Sequence, residues 1–318
     1  MASEELLKVE NLVVEYTSGE SVVHAVNGVS FTLNRGKTLG LVGETGAGKT
    51  TIAKSIIRIL PDPPAKVRGG NVIFEGESLL DLPEKKMKKI RGNRISMIFQ
   101  DPMTALNPIF TIGDQIAETI RVHDKVSKKE SFKRMLELLE MVGIPGERCT
   151  DYPHQFSGGM KQRAVIAIAL ACRPSLLLAD EPTTALDVTI QAQVLKLMKE
   201  LRDQLGTSMV MITHDLGIIA ETCDDVAVIY GGEIVEIGSA EAIFDRTSHP
   251  YTKGLFASLP RIDGEQDRLK PIKGEMLDPT LDVTGCRFYD RCDNACEKCR
   301  QPIALRQVGK DHWCRCIL

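Results

Sequence analysis

The residues best suited to chemistry begin with Gly43-Glu-Thr-Gly-Ala-Gly-Lys49-Thr50, which fits G-x-x-x-x-G-K-[ST]. Glycines in such a run let backbone N–H groups curl around a phosphate, and a helix beginning near Gly48 adds the partial positive charge of its N-terminus. Lys49 is suited to neutralise β- and γ-phosphate oxygens, and the Thr50 hydroxyl to ligate Mg²⁺. Gly43, Thr45, Gly46, Ala47, Gly48, Lys49, Thr50 and Thr51 are therefore the expected nucleotide-binding residues. A phosphate-bound cation also needs a carboxylate. Residues 176–181 (LLLADE) supply it, because an apolar strand delivers Asp180 and Glu181 side by side, an arrangement that is costly without cations nearby. Asp180 reads as the Mg²⁺ ligand and Glu181 as the base that polarises an attacking water.

These groups need a scaffold to position them. Residues 38–42 (TLGLV) form a short apolar strand entering the glycine turn, and residues 51–60 show helical spacing that stops at Pro61. Residues 7–14 and 26–33 alternate apolar and polar side chains as half-buried strands do, and residues 93–99 (NRISMIF) read as another strand. From about 112 to 142 the pattern is helical. Residues 176–179, 208–213 and 226–230 are buried-strand candidates separated by helical stretches, which predicts an α/β fold with a mainly parallel sheet. Around 240–285 the periodicity weakens and Pro250, Pro260, Pro271 and Pro279 appear, so a domain boundary is expected there. No internal repeat or low-complexity segment is visible.

A chain of 318 residues with 43% hydrophobic composition can bury a substantial core. With 26% charged residues and a formal net charge of −3, neither disorder nor nucleic-acid binding is suggested. The basic run at 85–89 (KKMKK) reads as a solvated helix face. The opening MASEELLKVE lacks the basic-then-apolar order of a signal peptide. The longest apolar run, 164–172 (AVIAIALAC), falls far short of the ~20 residues of a membrane span and reads as a buried core helix. Membrane spans, if the protein works at a membrane, must come from other subunits. Among nine cysteines, Cys149, Cys172 and Cys223 read as ordinary buried thiols. The other six lie between Cys286 and Cys316, and with no export signal such crowding points to metal more than to disulfides.

Over roughly residues 5–240 the chain resembles the ABC ATPase family. Residues 156–160 (FSGGM) look like its signature sequence, which is LSGGQ in many members. Gln100 matches the Q-loop, Thr184-Ala-Leu-Asp187 the D-loop, His214 the switch histidine, and Tyr16 the aromatic that stacks on adenine. The resemblance implies head-to-tail pairing with a second ABC ATPase subunit, identical or a sister. ATP would then lie between one subunit's phosphate loop and Ser157, Gly158, Gly159 and Gln162 of the other. It also implies that Gln100 senses the γ-phosphate and Mg²⁺, and that His214 acts with Glu181 in catalysis. The implied fold is a P-loop ABC cassette at 1–240, with an antiparallel β subdomain, a helical subdomain inserted at about 105–165, and a small Cys-rich domain at 241–318.

Two stretches, 100–108 (QDPMTALNP) and 152–160 (YPHQFSGGM), narrow the resemblance to the oligopeptide/dipeptide (and nickel) importer branch. So does the tail, with His249-Pro-Tyr-Thr252, Leu277-Asp-Pro279 and then Cys286, Arg291-Cys292 and Cys299. This branch implies a motor on the cytoplasmic face of a prokaryotic membrane, working with two membrane-spanning permeases and an extracytoplasmic substrate-binding protein. Nickel or oligosaccharide import and a soluble ABC ATPase acting on nucleic acid are the alternatives. Cys286, Cys292, Cys299 and Cys316 follow the branch's cysteine pattern, while Cys296 and Cys314 are extra. Spacing leaves zinc, an iron–sulfur cluster and no metal all open. The resemblance favours a [4Fe–4S] cluster, whose negative charge Arg287, Arg291, Lys298, Arg300 and Arg315 are expected to offset.

Overall fold

In the computed structural model, which describes residues 4–184, 186–258 and 271–318, the chain forms two units. The first is built on Leu7–Thr32, Leu39–Leu80 and Thr213–Leu318, and the second on Leu33–Thr38 and Asp81–Ile212.

The first unit opens with β1 (Glu5–Ser18) and β2 (Ser21–Asn34), followed by β3 (Thr38–Val42), β4 (Ala65–Phe74) and β5 (Glu77–Ser78). A four-stranded sheet runs β2-β1-β4-β5, with Leu7 opposite Phe74 and Val9 opposite Val72. Val9 and Leu12 are three residues apart yet both buried. A register shift after Glu10, with Asn11 at φ 47°, restores the alternation, as a bulge does.

In the second unit, β6 (Ile95–Ile98), β7 (Leu176–Asp180) and β8 (Ser208–Ile212) run parallel, with Ile98 opposite Ala179 and Asp180 opposite Ile212. Every residue of β7 and β8 is buried, which is why both read as unbroken apolar runs. Helices Ile112–Asp124, Lys128–Met141, Gly158–Leu170 and Val188–Leu205 surround them in sequence. Each starts at a polar cap (Thr111, Ser127, Ser157 and Asp187) whose side chain accepts a backbone N–H three residues on. The run at 164–172 lies mostly in the third of these helices, with Ala164–Leu170 largely buried. In helix Glu84–Ile90 the four lysines are exposed and Met87 is buried. Among the described residues no helix is long and apolar enough to cross a membrane.

The first unit resumes with β9 (Asp225–Tyr230), parallel to β3 with Leu41 opposite Ala227. Strand β10 (Glu233–Ser239) pairs antiparallel with β9, β12 (His312–Cys314) pairs with β10, and β11 (Arg306–Gly309) pairs with β12. The chain end thus contributes edge strands to the sheet that carries β3.

The structure departs from the sequence reading in three places. The helix expected to run to residue 60 is Lys49–Ile56, because Arg58 turns left-handed (φ 54°) and the Ile59 N–H reaches back to Lys54 O at 3.0 Å. Strands β4, β10, β11 and β12 carry no clean alternation, and Gly69 and Gly70 interrupt β4. Within the weakly patterned stretch after 240 the chain forms helices Ala240–Asp245 and Pro250–Ala257, both too short for periodicity to register. Pro260, part of the expected boundary, lies outside the described residues.

Candidate functional site

In the first unit, Gly48 caps helix Lys49–Ile56 at φ 101°. A Cβ there would sit 2.3 Å from the carbonyl oxygen of Ala25, so the turn excludes every other residue. No acidic side chain occupies the helix's first turn, which leaves its positive end available to an anion. Lys49 is only 6% exposed, and its Nζ donates to Gly43 O (2.7 Å) and Glu44 O (2.9 Å). Its ammonium is thereby held over the loop. Tyr16 Oη lies 3.2 Å from Thr51 Oγ1, which brings the expected adenine-stacking ring to the end of the same loop. His214 is exposed, just ahead of helix Leu216–Thr222, whose N-terminus Asp215 caps through Gly217 and Ile218 N–H.

The loop is gripped from far along the chain by residues that sequence reasoning did not assign to it. Glu44 N–H donates to Tyr251 Oη at 2.9 Å. The Glu44 carboxylate accepts two bonds from Arg291, at 2.6 and 3.1 Å. Burial pushes the Tyr251 hydroxyl up in pKa, and the bond to Glu44 raises that of the Arg291 guanidinium. The signals available were His249-Pro-Tyr251 and Arg291-Cys292, which mark a branch of a family without saying what they touch.

In the second unit, Asp180 is 2% exposed at the end of β7. Glu181 follows at φ 47°, a left-handed conformation that strains a non-glycine residue, with its N–H bonded to Ile212 O at 2.8 Å. One carboxylate oxygen of Glu181 accepts from Gln100 Nε2 and from Thr184 Oγ1, both at 2.9 Å. Gln100 and Glu181 are thus brought together, and Thr184 is an added partner that the sequence had placed only in the D-loop.

The signature segment opens a helix as expected. Ser157 and Gly158 are exposed, and Ser157 Oγ accepts from Met160 N–H. A Cβ on Gly159 would meet Ile190 Cγ2 at 2.6 Å, so helix Val188–Leu205 packs against the bare backbone there. Asp187 is exposed and caps that helix, accepting from Ile190 N–H at 3.0 Å, while Ala185 between it and Thr184 lies outside the described residues. Gln162, grouped by sequence with the ATP-facing residues, is 1% exposed and turned inward. Helical periodicity puts it on the core face with Val165, Ile166 and Ala169. Arg148 braces the segment from behind, with its guanidinium 4.8 Å from the Phe156 ring centroid and 3.1 Å from Gln155 O.

In the tail, Cys286, Cys292, Cys299 and Cys316 all line one apolar cavity together with Phe288, while Cys296 and Cys314 do not line it. Burial, followed by smaller effects of Cys299, Cys292 and Cys316, pushes the Cys286 thiol up to about 11. The thiols are not drawn in as a ligand set: among the described residues no three His, Cys, Asp or Glu side chains are grouped closely enough to hold a metal ion. The arginines expected to face a cluster have other partners. Arg287 lies 3.3 Å from Glu233, Arg291 grips Glu44, Arg300 donates to Tyr289 Oη, and Arg315 donates to Ile234 O. Of the scattered cysteines, Cys223 is buried while Cys149 and Cys172 are only half-buried.

Comparison with known proteins finds the sequence profile of the ABC transporter family over residues 26–184. That of the oligopeptide/dipeptide transporter C-terminal region matches residues 235–299. The probable peptide ABC transporter ATP-binding protein y4tR of Sinorhizobium fredii is 50% identical over 98% of this chain and 94% of its own length. The dipeptide transport ATP-binding protein DppD of Bacillus subtilis is 49% identical over 99% of this chain and 95% of its own. Among solved structures, the dimeric ATP-binding cassette MJ0796 bound to ADP and Pi superposes with a TM-score of 0.66 at 28% identity, covering 74% of this chain and 98% of that one.

Proposed function

Because the chain belongs to the ABC transporter family, in the branch with the oligopeptide/dipeptide transporter C-terminal region, we propose that it powers an importer of dipeptides or oligopeptides by binding and hydrolysing ATP. The observation that carries the hydrolytic part is Glu181, set directly behind Asp180 and held by Gln100 and Thr184. A carboxylate so oriented can take a proton from water attacking the γ-phosphate, and His214 holds that phosphate and water. Residues 43–51 cradle the phosphates through backbone N–H groups and Lys49, and Tyr16 stacks on adenine. Thr50, Asp180 and Gln100 offer the hard oxygen donors that Mg²⁺ takes, and bound there it supplies charge neutralisation on the phosphates.

Two such chains, or one with a sister ATPase, pair so that Ser157-Gly158-Gly159 of each covers the nucleotide of the other, with Ser157 and Gly158 exposed and Gln162 supporting that segment from its buried face. The assembly sits on the cytoplasmic face of the membrane, where two permease subunits supply the spans and an extracytoplasmic protein delivers the peptide. Residues 1–240 act as the cassette and 241–318 as a Cys-rich C-terminal domain. Its thiolates at Cys286, Cys292, Cys299 and Cys316 would hold a [4Fe–4S] cluster, with zinc the competing occupant, once drawn closer together than they lie here. The shared cavity of these four cysteines supports that set over Cys296 and Cys314. A bound centre would supply a staple where the segment lacks apolar side chains.

The test of the motor is Glu181→Gln. Turnover is expected to fall by at least ~10²-fold while Mg-ATP still binds and now traps a stable dimer. Wild-type turnover in that variant would remove Glu181 from its role. Protein purified without oxygen and assayed for iron, acid-labile sulfide and zinc decides the occupant of the cysteine cavity, and metal-free protein would end both readings.

A further inference from the structure

Glu44 is the second residue of the phosphate loop, and its polar groups are engaged on both sides. Its carbonyl accepts from Lys49 Nζ at 2.9 Å, within the loop. Its N–H goes to Tyr251, 207 positions away, and both carboxylate oxygens go to Arg291, 247 positions away. Neither partner is a casual surface contact. Tyr251 is fully buried, with its ring 4.7 Å from that of Tyr230 and 5.3 Å from that of Phe288. The Arg291 side chain is 6% exposed, its guanidinium lies 5.7 Å from the Tyr230 ring centroid, and its Nε donates to Lys273 O at 2.9 Å. A planar guanidinium meeting a carboxylate through two bonds fixes direction as well as distance.

A loop whose Gly43, Gly46 and Gly48 all have positive φ has little stiffness of its own, and ordering it on nucleotide costs conformational entropy. We propose that Arg291 and Tyr251 are positioning residues for nucleotide binding, which hold the phosphate loop in its binding shape by clamping Glu44. Arg291 immediately precedes Cys292, and Tyr251 belongs to the His249-Pro-Tyr-Thr252 motif. The C-terminal segment is therefore a component of nucleotide affinity, and changes in the order of the cysteine-rich turn reach the phosphate loop through one side chain. The inference rests on the reading of residues 43–51 as the nucleotide site.

The experiment compares ATP affinity, KM and kcat for the full-length wild type, Arg291→Ala, Tyr251→Phe, Glu44→Ala and the double variant Glu44→Ala/Arg291→Ala. ATP binding by the wild type tests the site itself, and ratios among variants test the clamp. Arg291→Ala should raise KM by roughly 5- to 30-fold, in the lower part of the range for coupling between sites, with kcat changed by no more than about 2-fold. The double variant should be no worse than the weaker single variant, since both remove one interaction. Tyr251→Phe keeps the buried ring and loses only the hydroxyl, so it stands as the test if Arg291→Ala does not fold, and should raise KM by a few-fold. KM unchanged in both Arg291→Ala and Tyr251→Phe, or additive losses in the double variant, would overturn the proposal.

Discussion

The turn at residues 43–50 is encoded locally, with glycines at positive φ, a helix start and a lysine folded onto its own carbonyls, and distant partners then hold it in place. Residues 286–316 work the other way. Phe288 is the only large apolar side chain buried there among the described residues, and their order is borrowed from distant partners. Glu236 on β10 accepts Ser248 N–H (2.6 Å) and His249 N–H (3.1 Å) and lies 2.7 Å from His312 Nε2 on β12. Yet the two regions meet at Glu44 and Arg291. A locally encoded loop and a dependent tail can thus form one mechanical element, because an anion site needs a precise backbone whereas a tail without a core needs anchors.

The strongest way to break this contrast is Glu236→Ala. Two backbone N–H groups and the His312 ring would lose their buried partner, at a cost of about 3–5 kcal/mol. A fall in Tm, with early proteolysis after residue 271, is the expected result, and a silent substitution would show that the tail holds itself. Next comes Gly48→Ala, aimed at the locally encoded turn. The clash with Ala25 O and the strained φ should weaken ATP binding by roughly 100-fold, about 3 kcal/mol, with a fall in Tm smaller than that of Glu236→Ala. Retention of affinity, read by calorimetry, would mean that the loop's shape does not depend on that turn.

Tyr16→Ala sharpens the picture of the loop's surroundings. Loss of stacking on adenine should cost about 1–3 kcal/mol of ATP affinity without altering Mg²⁺ dependence. Unmoved affinity would leave Tyr16 as a strand residue that merely touches Thr51. The smallest effect concerns pH. Burial lowers the pKa of His249 from the usual 6.5 to about 4, and its Nδ1 accepts Tyr251 N–H at 3.1 Å, so the folded state keeps the ring neutral. An unfolded chain takes up the proton near 6.5, so this stabilisation is complete above 6.5 and is lost as pH falls toward about 4. At pH 5 the loss should be about 1–2 kcal/mol. His249→Asn, which keeps a cap acceptor but no titrating ring, should flatten that part of the Tm–pH curve relative to wild type.

Much of the site was legible because it is local. The phosphate loop, the LLLADE strand end, the signature helix start and the buried parallel strands each announce themselves within a dozen residues. Unreadable were the strands that lack alternation, the bulge at Asn11, and contacts that depend on packing. The Glu181 carboxylate finds Thr184 through a strained turn, Gln162 turns inward through helix phase, and Arg148 stacks behind Phe156.

The sequence by itself determined the pieces of which a phosphate site is made, since short-range backbone geometry and residue type suffice for a glycine turn ahead of a helix and for two acids after a buried strand. Only the tertiary structure decided that Glu44 would be clamped by Tyr251 and Arg291, which lie 207 and 247 positions away. It also decided that four particular cysteines would share one cavity. Such pairings are set by which strands neighbour one another and which side chains are desolvated together, and no local pattern encodes either.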